Sequence, residues 1–349
     1  MKSSIFNAVG DFFALDIGTS AIRIVQLKGN STNKALFKFG AAAIDVKTAL
    51  SDAALDQQKI AEVVNGLAAE AGVTTTNVAV GLPSNKTFVT VVDVPRMSAQ
   101  EFNNTIKYQV EQYIPMSLEE AQVDWAILGD SPVEEGKMEV LLASVSKKFT
   151  ETRLDLLEQI GLNVIAFEPD SLALARALVK AEDMNAYLIV DMGEYNTDIV
   201  VVHGGMPRLV RSIPTGGQAL LRSVMNNLNI DQNQAQQFMY KFGMDATKLE
   251  GKVAQALASA AEVVATEVQK SLKFFNQRYK NVSMNSIIAS GAAGILPGFG
   301  QYISQAASGI PVQPGNSWQN ISYSNDVHEQ IMSINHQFAV AAGLGLEIN

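Results

Sequence analysis

The sequence predicts an α/β protein made by duplication of a β-β-β-α unit, with a smaller strand–helix–strand–strand unit inserted in the first copy. Three observations carry this. Residues 15–29, LDIGTSAIRIVQLKG, lie without gaps over residues 190–204, VDMGEYNTDIVVVHG, so that Asp16 falls on Asp191, Gly18 on Gly193 and Ile24 on Ile199. The copies begin 175 residues apart in a chain of 349. Each opens three apolar runs, followed by a helix and later a return strand, and the run that Pro83-Ser84 opens has a different order of elements.

The elements follow from local patterns. Residues 12–17, 21–28 and 35–44 are β-branched and aromatic, with Gly and Asn breaks between them, as strands require. Ile60, Val63, Val64, Leu67 and Ala71 recur at helical spacing, and Gly72 supplies a stop. Residues 77–82 return as a buried strand. In the insertion, KTFVTVVDVP is a strand closed by Pro95. Ser98 and Glu101 form a capping box for a helix with Phe102, Ile106, Val110 and Tyr113 on one face, and Pro115 ends it. Strands near 122–128 and 138–146 complete the unit.

A helix over 147–160 ends at Gly161, and NVIAFEPDSLALARALV reads as a strand feeding a helix. The second copy gives strands at 187–191, 198–203 and 207–213, then a helix after Gly216-Gly217. A Gln-rich helix at 231–242 and a long one at 250–279 follow. NSIIASGAAG is a strand into a glycine loop, and helices near 298–307 and 335–346 close the chain. The domain reading is residues 1–84, 147–185 and 330–349 for lobe 1, 85–146 for the insertion, 186–230 and 282–329 for lobe 2, and 231–281 for a helical subdomain.

Composition narrows the function. A formal charge of −9 argues against a nucleic-acid platform and against broad binding to anionic lipid. There is no cysteine, which excludes disulfides and thiolate metal sites, and His203, His328 and His336 lack metal-ligand spacing. No apolar stretch reaches the ~18 residues of a membrane span, and the start lacks a signal-peptide core because Asn7 and Asp11 interrupt it. The expectation is a cytoplasmic protein. Ile5, Phe6, Val9, Phe12 and Phe13 form one apolar stripe, read as a lead-in packed on the domain or as a weak membrane or partner contact.

The repeated D-x-G turn has a chemical use. Glycine at a hairpin turn lets backbone N–H groups close on phosphate oxygens, where a Cβ would clash. An aspartate at each strand end, Asp16 and Asp191, can hold a hydrated Mg²⁺, which keeps most of its waters and takes one or two carboxylates plus phosphates. Thr19, Ser20 and Thr197 add hydroxyls. The alternative is two unrelated hairpins that share a common turn; the matched order of elements favours duplication.

These residues resemble the actin and heat-shock chaperone ATPase superfamily, with its ribonuclease H-like, two-lobed fold. LDIGTS is similar to its first phosphate motif, VDMGEYNTDIVVVHGG to its second, and IIASGAAGILPGF to its adenosine motif. FEPDSLALARAL and FAVAAGLGL are similar to the segments that link the lobes. The inserted unit is similar to the SHS2-type domain of the branch containing the division protein FtsA and the type IV pilus assembly proteins. YQVEQYIPMSLEEAQVDWAIL and the stretch from VLLASVSKKF to ARAL resemble the pilus family, PilM, in particular.

The resemblance implies an ATP-binding cytoplasmic scaffold, peripheral to the inner membrane. It would hold the N-terminal cytoplasmic peptide of a PilN-like membrane protein on the inserted domain and adjoining lobe, with nucleotide tuning lobe closure and with the assembly motor proteins as further partners. It assigns Asp16, Gly18, Thr19 and Ser20 to the first phosphate site, Asp191, Gly193 and Thr197 to the second, with Gly216 and Gly217 beside it, and Gly291, Ala292 and Ala293 to the adenosine; Mg²⁺ is assigned to Asp16 and Asp191, through water. The adenosine loop reads S-G-A-A where the superfamily has a glycine pair, and Gln236 and Met239 stand where relatives carry an acid and a lysine. Catalysis would need a group that orients water. Glu168, before Pro169, is the candidate, with a surface carboxylate or helix cap as its alternative. The expectation is at most a slow ATPase. An FtsA-like filament protein and a sugar-kinase-like phosphotransferase remain as other readings.

Overall fold

The computed structural model describes residues 10–30, 33–51, 53–98, 100–102, 104–105, 110–180 and 182–346. Ile5, Phe6 and Val9 of the N-terminal stripe, and Ile106, lie outside them. The chain divides into two compact units, the first running to Ala177 and taking back Ser317–Met332 and the stretch from Phe338, the second built from Leu178–Asn316 and Ser333–Gln337.

The first unit opens with β1 (Phe13–Ile17), β2 (Ala21–Asn30), β3 (Asn33–Ala43), α1 (Val46–Leu50), α2 (Ala54–Ala71) and β4 (Asn77–Leu82). The inserted strands follow: β5 (Thr87–Pro95), β6 (Ala121–Asp130) and β7 (Lys137–Ser146). Then come α3 (Lys147–Gln159), β8 (Asn163–Pro169) and α4 (Asp170–Leu178). The main sheet has the order β3-β2-β1-β4-β8. β1 is buried along its whole length because α2, through Ile60, Val64 and Leu67, contributes to the core around Phe13, Leu15 and Val80. Burying such side chains is the main favourable term in forming the sheet.

The second unit contains β9 (Ala186–Met192), β10 (Thr197–His203), β11 (Met206–Ile213), α5 (Gly217–Leu228), α6 (Gln232–Phe242), α7 (Lys252–Arg278), β12 (Met284–Gly291), α8 (Ala292–Ile295), α9 (Phe299–Ala306) and β13 (Val312–Pro314). Its sheet order is β11-β10-β9-β12-β13. In each sheet the first strand of the repeat pairs antiparallel with its hairpin partner and parallel with its return strand. The duplication is therefore present as topology as well as sequence.

The inserted strands form their own antiparallel sheet, β5-β7-β6. One face packs on Phe102, whose ring meets Trp125 edge-on at 4.6 Å between centroids, over Val94, Val140 and Leu142. The capping box is formed: Ser98 N donates to Glu101 Oε2 (2.8 Å), and Glu101 N donates to Ser98 Oγ (3.2 Å).

Two differences from the sequence reading have physical causes. Residues 317–329, grouped there with lobe 2, pack on the first unit. Leu36 N donates to Ser322 O (2.8 Å) and Ser322 N donates to Lys34 O (2.9 Å), while the fully buried Trp318 packs on Phe39 and Phe338. The closing helix is also shorter than expected. α10 (His328–Ile334) and a 3₁₀ turn (Asn335–Gln337) come first, and α11 spans Ala339–Gly345. No helix among the described residues is long and apolar enough to cross a membrane.

Candidate functional site

In the first unit, the β1–β2 hairpin builds the turn that the sequence reading assigned to phosphate. Gly18 N donates to Ala21 O (3.1 Å), and a Cβ on Gly18 would lie 2.9 Å from that same oxygen, so only glycine closes the turn without displacement. Asp16 is the next-to-last residue of β1 and is buried, and Thr19 and Ser20 stand half-buried on the turn. Across the strands Asp16 faces Arg23, with Arg23 Nη1 at 3.4 Å from Asp16 Oδ2. Burial pushes the Asp16 carboxyl above its ordinary range, and the Arg23 guanidinium pulls in the other direction.

In the second unit, the β9–β10 hairpin repeats the turn: Gly193 N donates to Asn196 O (2.9 Å). Asp191 takes the place of Asp16, and its cross-strand neighbour is Asp198. The fully buried Thr197 donates its hydroxyl to Thr215 O (2.6 Å), which holds the approach to α5 against the hairpin. Gly217 N donates to Gly193 O (2.9 Å), so the Gly216-Gly217 pair sits on the β9–β10 turn. Gly291 ends β12 at φ +62°, and a Cβ there would fall 2.2 Å from Met192 O. That clash and that φ both require glycine, and they bring the Ala292-Ala293 loop onto the same hairpin. Met239 is part of the core and Gln236 is exposed, so α6 offers the exposed Tyr240 and Lys241 rather than an acid–lysine pair.

These turns fit a nucleotide phosphate: tight glycine closures, flanking hydroxyls and a carboxylate at each strand end. Among the described residues no three His, Asp or Glu side chains gather as a metal cage. A cation there would depend on phosphate oxygens for most of its ligands.

A different cavity lies within the first unit. It has a volume of about 660 Å³, between the second face of the inserted sheet and the elements that follow it. Leu141, Ala143 and Val145 of β7 form its floor, with Ala126 and Asp124 of β6 beside them in register. Leu154 of α3, Phe167 of β8 and Leu172 of α4 form the other side. Asp124 and Glu151 contribute carboxylates, and no Lys or Arg is among the described residues that line it. β6 is an edge strand of its sheet.

Glu168 also lines this groove. Its side chain is 4% exposed and forms a two-pronged ion pair with Arg176, whose Nη1 donates to Oε2 at 2.9 Å while Nη2 donates to Oε1. Arg176 Nη1 also donates to Gly343 O of α11 (2.7 Å). Sequence reading missed Arg23, Arg176 and the groove. Arg23 could have been found by counting equal steps from the hairpin turn; the groove has no local signal because several separate segments form it.

A model of the family described as type IV pilus assembly protein PilM matches residues 14–349. The chain belongs to that family. Among solved structures, the PilM-PilN type IV pilus biogenesis complex is similar at 23% identity and a TM-score of 0.80, over 97% of this chain and 98% of that one. The ethanolamine utilization protein EutJ from Carboxydothermus hydrogenoformans is similar at 16% identity and a TM-score of 0.56, over 97% and 90%. The MamK double helical filament is similar at 13% identity and 0.54, over 96% and 97%. These likenesses identify the actin-like ATPase fold. Membership of the PilM family does not favour the division-filament or sugar-kinase readings.

Proposed function

We propose that this protein is an ATP-binding scaffold of the type IV pilus inner-membrane platform, and that its groove holds the N-terminal cytoplasmic peptide of a PilN-like membrane protein. The observation that carries this reading is the groove itself. A three-stranded sheet this small ordinarily covers one face and leaves the other to solvent. Here the second face presents Leu141, Ala143 and Val145 and is walled by α3 and β8. The space suits an extended segment of several residues, and the β6 edge offers backbone groups for strand addition. Asp124 and Glu151 favour a peptide that carries a basic residue beside its apolar ones. Such a partner would keep the protein peripheral to the inner membrane without a span of its own.

ATP with Mg²⁺ is the proposed nucleotide, on Asp16, Gly18, Thr19 and Ser20 in one unit and on Asp191, Gly193, Thr197, Gly216, Gly217, Gly291, Ala292 and Ala293 in the other. Turnover is slow or negligible in this reading, because Glu168, the candidate for orienting water, is held by Arg176. Nucleotide then acts by tuning the affinity for the peptide.

The test is fluorescence anisotropy with a labelled N-terminal peptide of the PilN-like protein from the same genome, with and without Mg-ATP. Saturable binding that Ala143→Trp abolishes supports the groove, provided the circular dichroism of that variant is native. Binding that survives Ala143→Trp moves the peptide elsewhere, and no binding of any such peptide removes the scaffold reading. Calorimetry with Mg-ATP on the same protein, with phosphate release followed in parallel, tests the nucleotide.

A further inference from the structure

The β3 edge of the first unit carries an aromatic residue that the fold leaves outside its core. Phe37 is 38% exposed. The β2–β3 pairing matches Gln26 with Lys38 and Leu27 with Leu36, so Phe37 is the extra residue of a β-bulge and has no partner on β2. A bulge bends its strand and re-aims the side chain it carries. β3 is the outermost strand of its sheet, and Ser322 pairs with it at Lys34 and Leu36, just before the bulge.

Lysines surround the ring. Lys28 Nζ stands 3.6 Å from its centroid and Lys38 Nζ 5.2 Å, and Lys34 lies on the same strand. In a chain with more acidic than basic residues, none of the three forms an ion pair with a carboxylate among the described residues. Lys38 has a local reason to be there: a Cβ on Gly72, the stop of α2, would lie 3.4 Å from its Nζ, and a helix C-terminus favours a cation. That reason covers neither Lys28 nor the exposed ring. The duplication sharpens the contrast. The repeat puts His203 where Lys28 stands, and the ring beside His203 is Tyr279, which is buried in the core of the second unit. The first copy presents its ring to solvent instead.

The chain also enters the first unit here, because Asp11 is close enough to Lys34 for its charge to act on it. In sequence, the residues ahead of Asp11 include Lys2 and the apolar Ile5, Phe6 and Val9, and no acid. An exposed phenyl ring flanked by ammonium groups without carboxylate partners matches a surface that offers apolar and anionic groups side by side. The boundary between acyl chains and headgroups of an anionic membrane is such a surface. An acidic protein segment would satisfy the lysines and leave the apolar residues unused. The acidic remainder of the chain is repelled by anionic lipid, so the attraction is confined to this corner and orients the molecule.

We propose that the corner formed by Lys28, Phe37 and Lys38, with Lys34 beside it, docks directly on an anionic lipid surface. The groove adjoins the β8 edge of the main sheet and this corner lies at the β3 edge. A membrane protein's peptide in the groove and lipid at the corner then hold the first unit at two points, each weak alone. The lipid contact does not depend on the peptide reading and is tested without it.

The experiment is co-sedimentation of the full chain with vesicles of phosphatidylcholine alone and of phosphatidylcholine mixed with phosphatidylglycerol. Binding to the mixed vesicles at low salt is expected, with none to phosphatidylcholine alone and loss at about 0.5 M salt. Lys28→Gln is expected to weaken it about fivefold, the share of one lysine at an anionic surface. Phe37→Ser is expected to weaken it by a similar factor, with circular dichroism as in the wild type. A second readout leaves the charges in place. In mixed vesicles whose phosphatidylcholine is brominated, Phe37→Trp is expected to show tryptophan quenching beyond that of the wild type. No binding to the mixed vesicles overturns the proposal, as does binding that both Lys28→Gln and Phe37→Ser leave unchanged, or quenching of Phe37→Trp equal to that of the wild type. Binding that survives both substitutions and disappears when residues 1–9 are removed moves the contact to that segment and also overturns it. An oligoglutamate peptide that binds the wild type but not Lys28→Gln, with no binding to vesicles, assigns the corner to an acidic protein partner instead.

Discussion

Glu168 and Arg176 hold each other through two parallel hydrogen bonds, eight residues apart in sequence, across the junction of β8 and α4. The carboxylate is buried and the guanidinium is about one quarter exposed. The same guanidinium reaches α11 through Gly343 O. The pair therefore fastens a wall of the groove to α11.

The first prediction follows from that pair. Glu168→Ala leaves a partly buried guanidinium without its counter-ion, and is expected to cost about 3 kcal/mol, the lower end for breaking a buried pair. Urea unfolding measures it. Glu168→Gln keeps one hydrogen bond and is expected to cost less. A base that orients water behaves differently: Glu168→Gln would then suppress phosphate release while leaving stability nearly intact. The ion pair predicts the reverse order of effects.

Gly343 supplies the second. A Cβ added there would sit 1.9 Å from Ala173 O, so α11 crosses α4 at a distance that admits no side chain. Both helices would have to part, with loss of the Arg176 bond to Gly343 O. Gly343→Ala is expected to destabilise by about 3 kcal/mol, at the upper end for overpacking. A thermal midpoint equal to the wild type would mean that the crossing relaxes freely.

What the sequence could and could not reveal follows from the range of each signal. Asp16, Gly18, Asp191 and Gly193 were legible because a short hairpin turn fixes its own register, and the two copies repeat it. The strands of both sheets other than β13 were legible from β-branched runs between breakers. The five-residue α1 and the three-residue β13 were not, since neither is long enough to show a period. The segment around Trp318 was assigned to the wrong side of the chain for a different reason. Nothing within residues 317–332 states that Ser322 will pair with the β3 edge or that Trp318 will meet Phe39. The groove was invisible for the same reason: Asp124, Ala143, Glu151 and Phe167 are brought together only by tertiary packing.

The third prediction concerns the charge of that groove. Asp124 and Glu151 both line it without a cation among the described lining residues. The double variant Asp124→Asn, Glu151→Gln is expected to weaken a peptide with a basic residue about tenfold, and to flatten the dependence of binding on salt. Replacing the basic residue of the peptide should produce the same loss in the wild type and no further loss in the double variant. Losses that add would mean that the basic residue is read elsewhere.

The fourth lies in the second unit, where Tyr302 of α9 donates its hydroxyl to Glu262 Oε2 of α7 at 2.7 Å. Burial, followed by this bond and the carboxylate charge, pushes the phenol up to about 12. An unfolded phenol ionises near ~10. The folded chain thus keeps a proton that the unfolded chain releases. The stabilisation is complete below the unfolded value and is lost as pH rises through the folded one. Tyrosinate absorbance should show a component titrating near 12 that Tyr302→Phe removes. The stability difference between wild type and Tyr302→Phe should be constant up to about pH 10 and shrink above it. A component near 12 that survives Tyr302→Phe would assign it to another tyrosine, and a difference that grows with pH would reverse the sign of the coupling.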